Sequence, residues 1–87
     1  MTTQDTTYNG WTNRSTWNVQ LWITNDYGTY RSIMAIYQRS ANAGDCADCI
    51  EHYLTNIIWD KGVTPDGDRL NVVNWPEIAD MWYEANS

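Results

Sequence analysis

Apolar positions fall into four blocks separated by polar, turn-rich segments. The most apolar block is Asn9–Asp26, NGWTNRSTWNVQLWITND, which holds Trp11, Trp17 and Trp22. Within it Trp17, Val19, Leu21 and Ile23 alternate with Asn18, Gln20 and Thr24, and only Trp22 breaks the period of two. Alternation of this kind reads as a strand. Wound as a helix, the same run is apolar nearly all round, as a central buried helix is. Thr12 supplies a helix N-cap ahead of Asn13-Arg14-Ser15. No other convincing strand is available, and an isolated strand or hairpin is not stable. A helix is therefore expected here; the alternative is an α+β fold with residues 17–23 as a strand.

The other blocks have a clearer period. After Asp26 as a cap, Tyr27, Tyr30, Ile33, Met34, Tyr37 and Ala41 share one arc of a helix over about 27–41, with Ile36 off the stripe. Asn42-Ala43-Gly44 is expected to end it. Asp45 is expected to cap a third helix, about 46–59, whose apolar arc is Cys46, Cys49, Ile50, Tyr53, Leu54 and Ile57. Residues 60–71 form a turn-rich loop around Pro65-Asp66-Gly67, after which Leu70, Val72 and Val73 are expected to dock back. The last helix has the best start signal: Asn74 as N-cap, Pro76 in the first turn and Glu77 at the capping-box position. Trp75, Ile78, Ala79, Trp82 and Tyr83 form its apolar face.

These elements predict an all-α, four-helix single domain of 87 residues. The expected core is Trp17, Leu21, Met34, Ile50, Ile57, Ile78 and Trp82. Residues 1–8, polar and Thr-rich, are expected to form a flexible arm, with Tyr8 as the first anchor. Six Trp and six Tyr supply the buried area that a chain this short needs, since each aromatic removes about 150–250 Å² from water.

Charge changes the picture more than composition does. The net charge is −6, and it is divided unevenly. Residues 1–43 carry Arg14, Arg31 and Arg39 against Asp5 and Asp26, whereas residues 44–87 carry Lys61 and Arg69 against nine acids. Such a chain repels phosphate backbones, which disfavours direct nucleic-acid binding. It favours basic partners, including surfaces that normally hold nucleic acid. No apolar run is long enough to span a bilayer, and the N-terminus lacks signal-peptide character. A cytoplasmic protein without a membrane partner is expected.

The candidate chemistry is thin. Cys46-x-x-Cys49 with His52 offers too few converging ligands for zinc, and acidic neighbours do not suit a redox pair. Both cysteines are expected to be buried and inert, and His52 to be solvated. Asp66-Gly67-Asp68 is too sparse for a calcium loop. No cofactor, no metal and no catalytic residue is expected. Trp11, Trp22, Trp59 and Tyr8 fit the helical stripes least well and are candidate exposed contacts. The acidic rows are the stronger signal. Asp45, Asp48 and Glu51 run along helix three, and Glu77, Asp80 and Glu84 along helix four at i, i+3 and i+7. Neighbours at this spacing lie about 5–6 Å apart, the order of the phosphate separation along a nucleic-acid strand. With Asp66 and Asp68 in the loop between, these eight residues are the candidate partner-binding set.

The segment Asn9–Tyr30 resembles a family of small proteins of bacteriophages and other mobile elements, which carry a similar Asn-Gly-x-Thr-Asn-x-x-Thr-Trp-x-Val-x-Leu-Trp signature. Val73–Ala79 resembles a second segment often found near their C-terminus. Where the family often has a Glu completing a capping box, this chain has Ser15. The resemblance implies a phage or plasmid setting and a mainly helical fold, and it brings no catalytic residues. Small acidic phage proteins often block host defences. The expectation is a non-enzymatic binding protein acting in the host cytoplasm. It would inhibit a CRISPR effector or restriction enzyme by occupying that partner's basic nucleic-acid-binding surface. The alternative is a phage structural or regulatory adaptor that binds through exposed aromatics. Oligomeric state is left open.

Overall fold

A computed structural model describes residues 8–86. The fold is all-α, with four helices in the order α1 (Arg14–Asn25), α2 (Tyr27–Arg39), α3 (Ala43–Tyr53) and α4 (Trp75–Ala85). A π-helical turn, Leu54–Ile58, extends α3, and a 3₁₀ turn, Leu70–Val72, leads into α4. The described residues hold two isolated bridges, Tyr8 with Trp11 and Val63 with Arg69. Of the expected N-terminal arm, only Tyr8 lies within the described residues. Tyr8 is an anchor: it packs edge-on against Trp17 at 4.9 Å between ring centroids.

The period-two run is helical, but its cap is Asn13, not Thr12. The Asn13 side chain accepts from Thr16 N at 2.8 Å, satisfying one of the orphan amides of the first turn. The buried positions of α1 are Ser15, Thr16, Asn18, Val19 and Ile23. Trp17, Leu21 and Trp22 are half-buried on its flanks. Trp17 and Leu21 are therefore not at the centre of the core.

Two boundaries move. α2 stops at Arg39, where the Ser40 hydroxyl donates to Ile36 O at 2.6 Å. Asn42 then opens α3 instead of closing α2: its side chain accepts from Asp45 N at 2.8 Å. Asp45 sits in the first turn of α3 and reaches back to Ala41 N at 3.1 Å. The stripe of α2 holds at Tyr30, Ile33, Met34 and Tyr37, all packed on or in the core, and Ile36 joins it. Tyr27 is exposed, with the Arg31 guanidinium 5.8 Å from its ring centroid.

The core comprises Val19, Ile23, Ile33, Cys46, Ala47, Ile50, Leu54, Leu70, Val73, Trp75, Ile78, Ala79 and Trp82. Of the expected centres, Ile50, Ile78 and Trp82 are buried, Met34 is half-buried, and Ile57 is 61% exposed. The π turn explains Ile57. Trp59 N donates to Leu54 O, an i→i+5 bond of 2.8 Å, so one extra residue is taken into the turn. Within this wider turn each residue advances by less than the ~100° of an α-helix, and Ile57, inside it, falls off the core face. Cys49 is also exposed, a correction to the expectation that both cysteines are buried. Leu70 and Val73 dock as expected, whereas Val72 stays exposed.

α3 and α4 form the most extensive helix pair. Trp82 anchors α4 to α2, with its ring 5.4 Å from that of Tyr30 and 6.0 Å from that of Tyr37. Tyr37 also meets Tyr83 edge-on at 4.9 Å. Aromatic pairs of this kind contribute about 0.5–1.5 kcal/mol each beyond area burial.

Candidate functional site

The site begins with two helix caps that hold each other. Asn13 Oδ1 accepts from Thr16 N and from Thr16 Oγ1, at 2.8 and 2.7 Å. With its own hydrogen bond donated to Asn13, the Thr16 hydroxyl accepts from Asn74 N at 2.9 Å. Asn74 caps α4, accepting from Glu77 N at 3.2 Å, and its amide donates to Thr12 Oγ1 at 3.0 Å. Thr12 N donates to Glu77 Oε1 at 3.0 Å, and Asn13 Nδ2 donates to Val72 O at 2.8 Å. Glu77 thus does not close a box on its own helix; it receives the chain entering α1. The Thr12-Asn13-x-x-Thr16 and Asn74-Trp75-Pro76-Glu77 segments are one joint, although they lie at opposite ends of the sequence.

A tight hairpin turn places Trp11 beside this joint. Tyr8 and Trp11 exchange two backbone hydrogen bonds of 2.8 Å each, and Asn9 and Gly10 between them have φ of +49° and +88°. Positive φ at both central positions is the two-residue hairpin geometry that Asn-Gly favours. Between this turn and α4 lies a groove of about 590 Å³. Glu77, Asp80 and Glu84 line it together with Trp11, Pro76 and Met81. Asp80 and Glu84 are exposed, and Met81 is 41% exposed. The row expected at i, i+3 and i+7 is brought to one concave surface, with an indole and a thioether beside it. Such a surface suits a guanidinium or ammonium group, which gains from carboxylates and from an aromatic face.

The second row, Asp45, Asp48 and Glu51, is exposed along α3, and α3 packs beside α4. Asp45 is partly committed to the helix start through Ala41 N. Asp48 has no structural role of this kind among the described contacts. Glu51 lines a different groove, shared with Thr55, Val63 and Arg69.

Asp66 and Asp68 serve the fold. Asp66 Oδ2 accepts from Asn18 Nδ2 at 2.8 Å and from Trp22 Nε1 at 3.1 Å. These bonds, the Asn18 one first, hold its carboxyl below the usual carboxylate range, helped by the charge of Arg14. Asp68 pairs with Arg14 Nε at 3.3 Å. The Arg14 guanidinium lies 5.9 Å from the ring centroids of both Tyr8 and Trp17. Arg14, Asn18 and Trp22 follow each other at i, i+4 and i+8, so one stripe of α1 fastens the loop that carries both aspartates. Thr64–Asp68 is itself closed by bonds of 2.8 Å from Thr64 N to Asp68 O and from Gly67 N to Thr64 O.

The aromatics set apart in the sequence divide in the same way. Tyr8 and Trp22 are engaged inside the fold, Trp11 and Trp59 pack on the core, and Trp11 alone of the four also lines the acidic groove. Met81 and Pro76 were not anticipated as groove residues. Met81 is an off-stripe apolar residue between Asp80 and Trp82, and that position was a usable signal. Among the described residues, no three His, Cys, Asp or Glu side chains are grouped so as to hold a metal ion. Cys46 is fully buried and its thiol is pushed up by that burial, which suits packing better than nucleophilic attack. His52 is exposed, 3.2 Å from the Asn56 side-chain amide. No helix among the described residues is long and apolar enough to cross a membrane.

A family of unknown function, DUF7249, matches residues 4–87. The chain belongs to this family. No curated protein and no solved structure matches the chain. The match runs through both interlocked cap segments and the groove between them, so family membership covers the whole joint as well as the acidic helices.

Proposed function

We propose that this protein is a non-enzymatic binding protein that docks the acidic face of α4, with its neighbour α3, onto a basic protein surface. The observation that carries this reading is the groove beside α4, where Glu77, Asp80 and Glu84 converge with Trp11 and Met81. Charge supports it, because the half of the chain that contributes α3 and α4 holds nine acids against Lys61 and Arg69. A surface of this kind competes for sites built to hold phosphate. The partner class we propose is a nucleic-acid-handling defence complex of a bacterial host, a CRISPR effector or a restriction enzyme. Inhibition would be stoichiometric, in the host cytoplasm, by occupying the Arg- and Lys-lined channel. The phage or mobile-element setting is part of the same proposal and rests on the sequence resemblance alone.

The test is capture of proteins from a host lysate on the immobilised chain, washed at about 0.1 M and about 0.5 M salt, across which screening of exposed charges increases strongly. The proposal predicts a basic nucleic-acid-binding protein retained at low salt and released at high salt. Retention indifferent to salt, with loss on Trp11→Ala, would instead identify an adaptor that binds through its aromatic residue.

A further inference from the structure

A second groove lies away from the acidic one, and its character differs. It encloses about 550 Å³ between α3 and the loop that follows. Glu51 and Thr55 form one wall, Val63 and Arg69 the other, with Leu70, 2% exposed, at its base. Ile57 and Ile58 follow Thr55 within the π-helical turn at the end of α3. Ile57 and Ile58, turned outward by the π-helical turn, are 61% and 37% exposed, and Val63 is 38% exposed. An outward apolar ridge therefore adjoins an apolar groove. The groove carries one acid and one base on opposite walls, and the ion pair recorded among the described residues is Arg14 with Asp68, not this one.

We infer that this face binds a second copy of the chain around a two-fold axis. Two-fold contacts are self-complementary: what one copy presents, the other receives. The Ile57–Ile58 ridge of each copy enters the groove of the other, and Glu51 of each faces Arg69 of the other. Charge selects this occupant. Copies with a net charge of −6 repel each other over most of their surface, but here the local charge is balanced. A basic partner of the kind drawn to α4 gains nothing beside Arg69. The inference does not depend on what α4 binds.

Sedimentation velocity of the full chain from about 10 µM to 1 mM, the range in which small interfaces assemble, tests it. The mass is expected to rise from one chain towards two. Ile57→Asp and Ile58→Asp, both at exposed positions, are expected to hold the mass at one chain with an unchanged circular dichroism spectrum. Glu51→Arg alone and Arg69→Glu alone should each weaken dimerisation by about tenfold, since each disrupts two rim ion pairs. The double variant Glu51→Arg/Arg69→Glu should recover it. A wild-type chain at the mass of one copy throughout, a dimer untouched by Ile57→Asp, or a double variant no better than the single ones would overturn the inference.

Discussion

Helices α1 and α4 begin alike and end up doing different work. Each is capped by an Asn whose side chain accepts from the third amide of the helix, and each carries two tryptophans within its span. In α4 hydrophobicity and burial agree: Trp75, Ile78, Ala79 and Trp82 are inside, and the acids are on the outer face and in the groove. In α1 they part company. Thr16 is 0% exposed and Asn18 1% exposed, whereas Trp17 and Trp22 are half-buried. The polar residues of α1 are inside because they bind other segments: Thr16 the start of α4, Asn18 the loop at Asp66. A helix that serves as a fastening post buries hydrogen-bonding groups, and its large apolar side chains shield the joints.

That contrast breaks most severely at the core of α4. Trp82→Ala is expected to cost about 3–5 kcal/mol, read as a large fall in the denaturation midpoint, because the indole is 6% exposed and holds Tyr30 and Tyr37. Trp17→Ala in α1 should cost clearly less, and equal losses would erase the distinction between the helices. Next comes the joint. Thr16→Val keeps the shape but removes the hydroxyl that serves both caps, leaving Asn74 N without its partner. The expected cost is about 1–3 kcal/mol, measured by chemical denaturation. A double-mutant cycle with Asn13→Ala should show coupling, since the Asn13 side chain accepts from the Thr16 hydroxyl at 2.7 Å.

A smaller effect concerns acid. The Asp66 carboxyl sits below its ordinary value of 3.8 in the folded chain, so it binds a proton more readily when unfolded. Its contribution to stability is present above that ordinary value and is lost as pH falls through the lowered one. Asp66→Asn should therefore flatten the decline in melting temperature below about pH 4. A decline of the same slope in both proteins would show that the loop is not fastened through this carboxylate. The smallest effect on stability is expected at Asp48 and Asp80, whose reversal to Lys should stay within about 0.5 kcal/mol.

How much of this was legible in the chain follows from where each signal lies. The start of α4 could be read because Asn74, Pro76 and Glu77 agree within a few residues. The start of α3 was misread because Asn and Gly at 42–44 signal a helix end as well as a beginning, and only the Asn42–Asp45 bond decides. Ile57 was misplaced because a π turn leaves no mark on apolar spacing. The roles of Asp66, Asp68 and Glu77 were hidden because their partners lie far away in sequence, in α1 and just before it. Of the acidic set, the spacing of the α4 row was legible because it is local to one helix. The N-terminal turn that makes it concave became visible only in three dimensions.

The division between fastening and binding can be tested with one variant, Asp48→Lys/Asp80→Lys, immobilised beside the wild-type chain in the same host lysate at about 0.1 M salt. The account predicts a melting temperature within about 4 °C of wild type, the shift expected for a change of under 1 kcal/mol in a domain of this size, together with loss of the salt-sensitive basic partner. Undiminished capture of that partner by the charge-reversed chain would contradict it.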